Sequence, residues 1–304
     1  MDKETLSNYG WIVIAVLVLA VMIALATPFG DYISSAVKST TAGLFATNQK
    51  ALNQTGLINI ADQDFNNNNS TETKRNGIIP DGAIYTKADG TTLEGNGTNT
   101  FPDTPATNDT YEYGDYKYTY GSYGTEWSVK VKDTSKTSYG EILSEIAGKP
   151  VTGMYRTFEN CTSLTTAPKI PNSVTDMLFT FANCSNLTTA PEIPNSVIRM
   201  NYTFRGCTSL TTAPVIPNSV TNMAFTFFDC TSLTTAPDMS KANNVRSMSS
   251  TFMGCTFLTG TIEINANPTS YKFCFDGTKK PIMLTGTSTM LAEIAENRSN
   301  VTVQ

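Results

Sequence analysis

The stretch Val174-Thr175-Asp176-Met177-Leu178-Phe179-Thr180-Phe181-Ala182-Asn183-Cys184-Ser185-Asn186-Leu187-Thr188-Thr189 returns, with substitutions, before and after itself. Aligned on phenylalanine, the series is Phe158, Phe181, Phe204, Phe227, Phe252 and Phe275, spaced 23, 23, 23, 25 and 23 residues apart. Four residues earlier stand Met154, Met177, Met200, Met223, Met248 and Tyr271. Three residues later come Cys161, Cys184, Cys207, Cys230, Cys255 and Thr278, and six later Leu164, Leu187, Leu210, Leu233, Leu258 and Pro281. In this frame Cys274 falls off the cysteine column, and Thr278 takes the sixth rung. A fixed period of this length predicts a solenoid in which each coil buries one apolar row against its neighbours.

Stacked coils lie about 4.8 Å apart. The cysteine column is therefore expected to be a ladder of buried thiols beside the Phe and Leu columns. Disulfides between rungs are disfavoured, because a bridge needs closely approached and oriented Cβ atoms. A metal role is weaker still, since ligands for one ion must converge and these run along an axis. The Ile-Pro-Asn-Ser-Val corners at 170–174, 193–197 and 216–220 suit turns, with proline fixing φ. The fourth repeat replaces this corner with Asp238 to Asn244, where the two extra residues fall. Beside the corners, Lys169, Glu192, Val215 and Asp238 vary in chemistry along one column. They are the candidate ligand face, and an ordinary solvated surface explains them equally well.

The repeat core Val-Thr-x-Met-x-x-x-Phe-x-x-Cys-x-x-Leu closely resembles the BspA-like leucine-rich repeats of bacterial surface proteins and the related mycoplasma lipoprotein-type repeat. The resemblance covers about 150 to 284. It implies a right-handed leucine-rich-repeat solenoid of a class associated with adhesion, and names no ligand.

The other end of the chain is apolar. Leu6 to Gly30 holds 25 residues without a formal charge, enough to cross a bilayer at 1.5 Å per residue. Tyr9 and Trp11 would mark one interface. Ile14, Leu17, Val21 and Leu25 lie within the stretch, and Pro28 should kink or interrupt the helix. An amphipathic continuation follows through Ile33, Val37, Leu44 and Leu52. The run Thr5-Leu6-Ser7-Asn8-Tyr9-Gly10-Trp11-Ile12 resembles the tight-adherence (Flp-like) branch of type IV pilins. Asn8 stands where that family carries Glu, and Lys3 where its Gly precedes the processing site. The resemblance implies assembly with copies of itself through this helix. A plain single-pass membrane anchor is the alternative.

Between the two lies a polar stretch with Asn66 to Asn69, which cannot bury enough surface to fold alone. Strand signals follow. Asp89-Gly90 sits between Ile84-Tyr85 and Thr92-Leu93 as a hairpin turn. Tyr111, Tyr113, Tyr116, Tyr118 and Tyr120 lie mostly two apart, and Trp127, Val129 and Val131 alternate with polar residues. These predict an antiparallel sheet over about 80 to 133. The tyrosines suit sheet packing better than a sugar-stacking face. Thr137 to Ala147 is expected to form a capping helix, closed by Gly148 and Pro150. Met290 to Glu296 is expected to close the chain as a short helix, with Val301-Thr302-Val303 as a last strand.

The expected fold is thus a long N-terminal α-helix, a small antiparallel β domain, then a leucine-rich-repeat solenoid. The segments are 1–56 helix, 57–79 linker, 80–149 Tyr-rich β domain with capping helix, 150–284 solenoid and 285–304 cap.

Composition excludes much. The chain of 304 residues carries no histidine and a net charge of −5. Its 48 threonines outnumber Lys and Arg (21) plus Asp and Glu (26) together. Without histidine the usual general base and the commonest zinc ligand are missing. An acidic balance opposes a nucleic-acid partner. No cofactor, metal or catalytic group is expected. The expected role is a pilus-like filament subunit, or a membrane-anchored adhesin, presenting its repeats at the cell surface to an unknown surface protein or glycan.

Overall fold

The structure is a computed structural model, and it describes residues 77–122, 126–296 and 298–304. The assembly-helix residues Tyr9, Trp11, Ile14, Leu17, Val21, Leu25 and Pro28 lie outside the described residues, as does most of the linker. Among the described residues, no helix is long and apolar enough to cross a membrane.

Five strands follow one another in the first part: β1 (Ile84–Thr86), β2 (Thr92–Glu94), β3 (Thr110–Tyr113), β4 (Tyr116–Tyr120) and β5 (Trp127–Val131). They pair antiparallel in the order β2-β1-β3-β4-β5. The β1–β2 hairpin turns at Asp89-Gly90, where Gly90 takes φ 89° and donates to the Lys87 carbonyl at 2.9 Å. Only a residue without Cβ enters that conformation freely. Ile78 bridges Thr100 and Ile79 is fully buried, so the chain has joined the fold by that point, inside the stretch expected as linker.

The tyrosines pack inward. Tyr85, Tyr111, Tyr116 and Tyr118 are at most 1 % exposed, and Trp127 meets Tyr85 and Tyr120 edge-on. A buried phenol usually finds a partner for its hydroxyl; Tyr111 has none among the described residues, and the other three do. Tyr85 donates to Asp109, and Tyr116 donates to the Gly140 carbonyl at 2.7 Å. Tyr118 accepts from the Leu143 amide at 3.1 Å.

Those last two bonds explain a correction. Residues 137–147 form no helix. Their backbone groups are engaged by side chains of the sheet: Gly140 N–H by Asp115, Gly140 C=O by Tyr116, and Leu143 N–H by Tyr118. The segment instead ends in β6 (Glu145–Ile146), which turns through Ala147 (φ 50°) and Gly148 (φ 71°) into β7 (Lys149–Gly153). Two consecutive positive φ values are the mark of a tight hairpin turn. Ile142, Leu143 and Ile146 are buried, as extended chain rather than as a helix face. β7 then pairs parallel to β5 and delivers the chain into the first coil.

The coils are joined by single residues rather than by strands. One column of parallel bridges runs Gly153, Asp176, Arg199, Asn222, Ser247, Ser270, and a second runs Thr166, Thr189, Thr212, Thr235, Thr259. Left-handed residues two and six positions after the Met column, with proline at the corners, keep the extended runs short. True strands reappear only at the end: β8 (Gly260–Glu263), β9 (Ile282–Thr285) and β10 (Val301–Val303), parallel in the order β10-β9-β8. A short helix, α1 (Leu291–Ala295), carries the chain from β9 to β10. Arg298 holds this end by donating to Asp276 and to the carbonyls of Ile294 and Glu296.

Candidate functional site

Inside the solenoid the core is built of columns, with the Met and Leu columns fully buried and three others carrying its contacts from coil to coil. Phe158, Phe181, Phe204, Phe227, Phe252 and Phe275 are buried and stacked face to face, with centroids 5.1 to 5.7 Å apart and planes within 11°. Beside them Cys161, Cys184, Cys207, Cys230 and Cys255 are buried and free. The thiols are used as donors: Cys184, Cys207, Cys230 and Cys255 each point Sγ at the phenylalanine carbonyl of the preceding coil, at 3.0 to 3.1 Å. Burial pushes Cys207 and Cys255 up to about 12. They are thus protonated, inert thiols.

A third column was not legible in the repeat text. Thr157, Thr180, Thr203, Thr226 and Thr251 are buried. From Thr180 onward each hydroxyl donates to the methionine carbonyl of the coil before, at 2.8 to 3.0 Å. Cys274 occupies this position in the sixth coil, which accounts for its displacement from the thiol column, and burial likewise raises it to about 12. Thr278, on the sixth rung, donates to the Phe275 carbonyl at 2.7 Å. None of these columns offers chemistry to a ligand.

The outer surface does. Lys169, Glu192, Val215 and Asp238 are all exposed, one per coil beside the proline corners. They do not converge. Lys169 lines an open cleft of about 580 Å3 with Tyr139, Glu141 and Asn172, while Val215 stands 57 % exposed. Hydrogen bonds from Ser240 hold the Asp238 carboxyl below its usual range.

A second outward column was missed by the sequence reading. Two residues after each Met-column position stand Arg156, Phe179, Tyr202, Phe225, Ser250 and Phe273, all left-handed with φ between 53 and 60°; Arg156 and Phe273 are exposed, Phe179, Tyr202 and Phe225 half-buried, and Ser250 alone is buried. For a residue with a Cβ that conformation costs about 1–2 kcal/mol. The rings of Phe179 and Tyr202 stack at 4.4 Å, and those of Tyr202 and Phe225 at 4.6 Å. The Arg156 guanidinium lies 5.0 Å over Phe179, and Arg205 lies 5.7 Å over the neighbouring Phe228. The signal was available: an aromatic recurs at a 23-residue interval two positions before the core phenylalanine in three coils. Its outward direction was not, because that depends on the left-handed backbone.

Among the described residues, no three acidic, cysteine or histidine side chains gather as a metal site.

Residues 154–259 and 177–287 match the model of the BspA type leucine rich repeat region, in six copies. Two solved structures are similar to the chain. One is the leucine-rich-repeat protein of T. pallidum: 21 % identity, 57 % of this chain, 79 % of that one, TM-score 0.44. The other is a leucine-rich-repeat protein from Bacteroides ovatus: 21 % identity, 58 % of this chain, 55 % of that one, TM-score 0.34. Comparison with curated proteins gives no match.

Proposed function

We propose, from the match of residues 154–287 to the BspA type leucine rich repeat region, that the chain is the subunit of a pilus-like extracellular filament. Its N-terminal apolar helix packs with copies of itself, and the repeat region is displayed outward for adhesion. The observation that carries the reading is the pairing of the uncharged run from Leu6 to Gly30 with a solenoid whose chemistry is all on the outside. The Phe, Cys and Thr columns are spent on holding coil to coil. The two outward columns, at the proline corners and at the left-handed turns, are free to meet a ligand. A family generally found at the surface or outside the cell suits this placement, and the role is non-catalytic.

Electron microscopy of material sheared from the surface of producing cells tests it. Helically ordered fibres labelled by antibody against this chain are expected. Recovery of the chain only in detergent-extracted membranes overturns the filament, and the chain is then a single-pass anchored adhesin.

A further inference from the structure

Bulky side chains rarely enter the left-handed region, yet Phe179, Tyr202 and Phe225 occupy it in three consecutive coils. The coil does not need an aromatic there, since Arg156 and Ser250 fill the same position with φ 56 and 53°. Strain held in several neighbouring residues marks a surface shaped for use.

Within the stack the ring faces are occupied. Phe179, Tyr202 and Phe225 cover one another with planes 11° and 5° apart, Arg156 covers one end, and Phe228 leans on Phe225 at 5.8 Å. Solvent therefore meets ring edges, which carry the positive side of the aromatic quadrupole. The donors left unused gather in the coil that holds Tyr202. Arg205 is exposed and has no carboxylate partner among the described residues, whereas Arg156 is paired with Glu159 at 3.3 Å and Arg199 with Asp176 at 2.6 Å. The Tyr202 hydroxyl likewise has no partner among the described residues. The nearby acid Asp229 is turned toward the next coil, with its Oδ1 where a Cβ on Gly254 would stand.

An extended peptide has no sheet edge to join here. The amides of Phe179, Tyr202 and Phe225 already donate to Asn201, Ala224 and Ser249 of the following coils. We propose that this face binds an acidic glycan, a carboxylate-bearing polysaccharide laid along the solenoid axis. One carboxylate sits on the Arg205 guanidinium and the Tyr202 hydroxyl, and sugar oxygens lie against the aromatic edges. The proposal rests on the adhesion half of the reading above and is independent of filament assembly.

Affinity electrophoresis of the purified full chain tests it, with polygalacturonate, neutral dextran and poly-glutamate as probes. Polygalacturonate is expected to retard the chain, and the other two are not. Arg205→Gln should weaken the retardation about tenfold, the value of one charge-assisted contact. Tyr202→Asn should weaken it too while leaving the melting temperature unchanged or higher, because Asn tolerates the left-handed backbone. Should Tyr202→Asn fail to fold, the exposed Arg205→Gln variant keeps the test intact. Absence of retardation by polygalacturonate overturns the proposal, as does full retardation of Arg205→Gln. Equal retardation by poly-glutamate also overturns it, in favour of an acidic protein partner. Ordered fibres in the microscope alongside a chain that ignores polygalacturonate sink this proposal alone.

Discussion

The tyrosine sheet and the solenoid both bury rows of ionisable side chains in their neutral form, but they hold them by opposite means. In the sheet three phenols each have their own solution, Tyr85 on Asp109, Tyr116 on Gly140 and Tyr118 under Leu143, while the buried Tyr111 hydroxyl has no partner among the described residues. In the solenoid one solution is copied, thiol to phenylalanine carbonyl, coil after coil. A sheet core of unlike parts depends on contacts far apart in sequence. A repeated core depends on nearest neighbours, so its stability is close to a sum over coils and interfaces.

Alkali should separate the two regions most strongly. Folding raises Cys207, Cys255 and Cys274 from 9.0 to about 12. Below pH 9 both folded and unfolded thiols are protonated, and the stabilisation is complete. Between pH 9 and 12 only the unfolded thiols lose their protons, so stability falls by ~1.4 kcal/mol per pH unit for each such cysteine. Burial also raises Tyr85, Tyr111, Tyr116 and Tyr118 above their ordinary 10.0. The sheet should therefore begin to weaken about one pH unit later than the solenoid. Urea melts from pH 8 to 11, followed by thiol labelling for the coils and tyrosine absorbance for the sheet, check this. Stability that stays level from pH 9 to 11 would break the thiol ladder.

Removing one rung comes next in size. Phe204→Ala deletes a ring stacked on both Phe181 and Phe227 and should cost about 3–5 kcal/mol. Native thiols should stay unreactive before denaturation in the parent chain, and in this variant the thiols of neighbouring coils should label early. A near-neutral melt would mean that the register is wrong.

The smallest effect belongs to the sheet's first hairpin. Gly90→Ala places a Cβ at φ 89° and should cost about 1 kcal/mol, with no change in thiol protection. A loss of protection would show that the two regions melt as one unit.

What the sequence disclosed follows the same division. Phe, Cys and Leu columns were legible because one environment recurs, and a repeated environment writes a repeated residue. The buried threonines were hidden by their own abundance: Thr180 and Thr188 look alike in the text, yet one is buried and the other exposed. The aromatic column was missed because direction there is set by φ, not by spacing. The helix expected at 137–147 failed because Tyr116, Tyr118 and Asp115, more than twenty residues away, claim its backbone groups. Local pattern carries no sign of that competition.

The two extra residues of the fourth repeat have a consequence for how such a chain can change. They fall at an outer corner, where Asn218 ties down the longer path by accepting from the Asn243 amide and the Asn244 side chain. The next phenylalanine still stacks, with Phe227 and Phe252 at 5.7 Å and 2°. Length added at this corner leaves the core unmoved, so it is a natural graft point. Foreign loops, or new surface variants arising by duplication and drift, can be accepted there while the columns beneath keep their register.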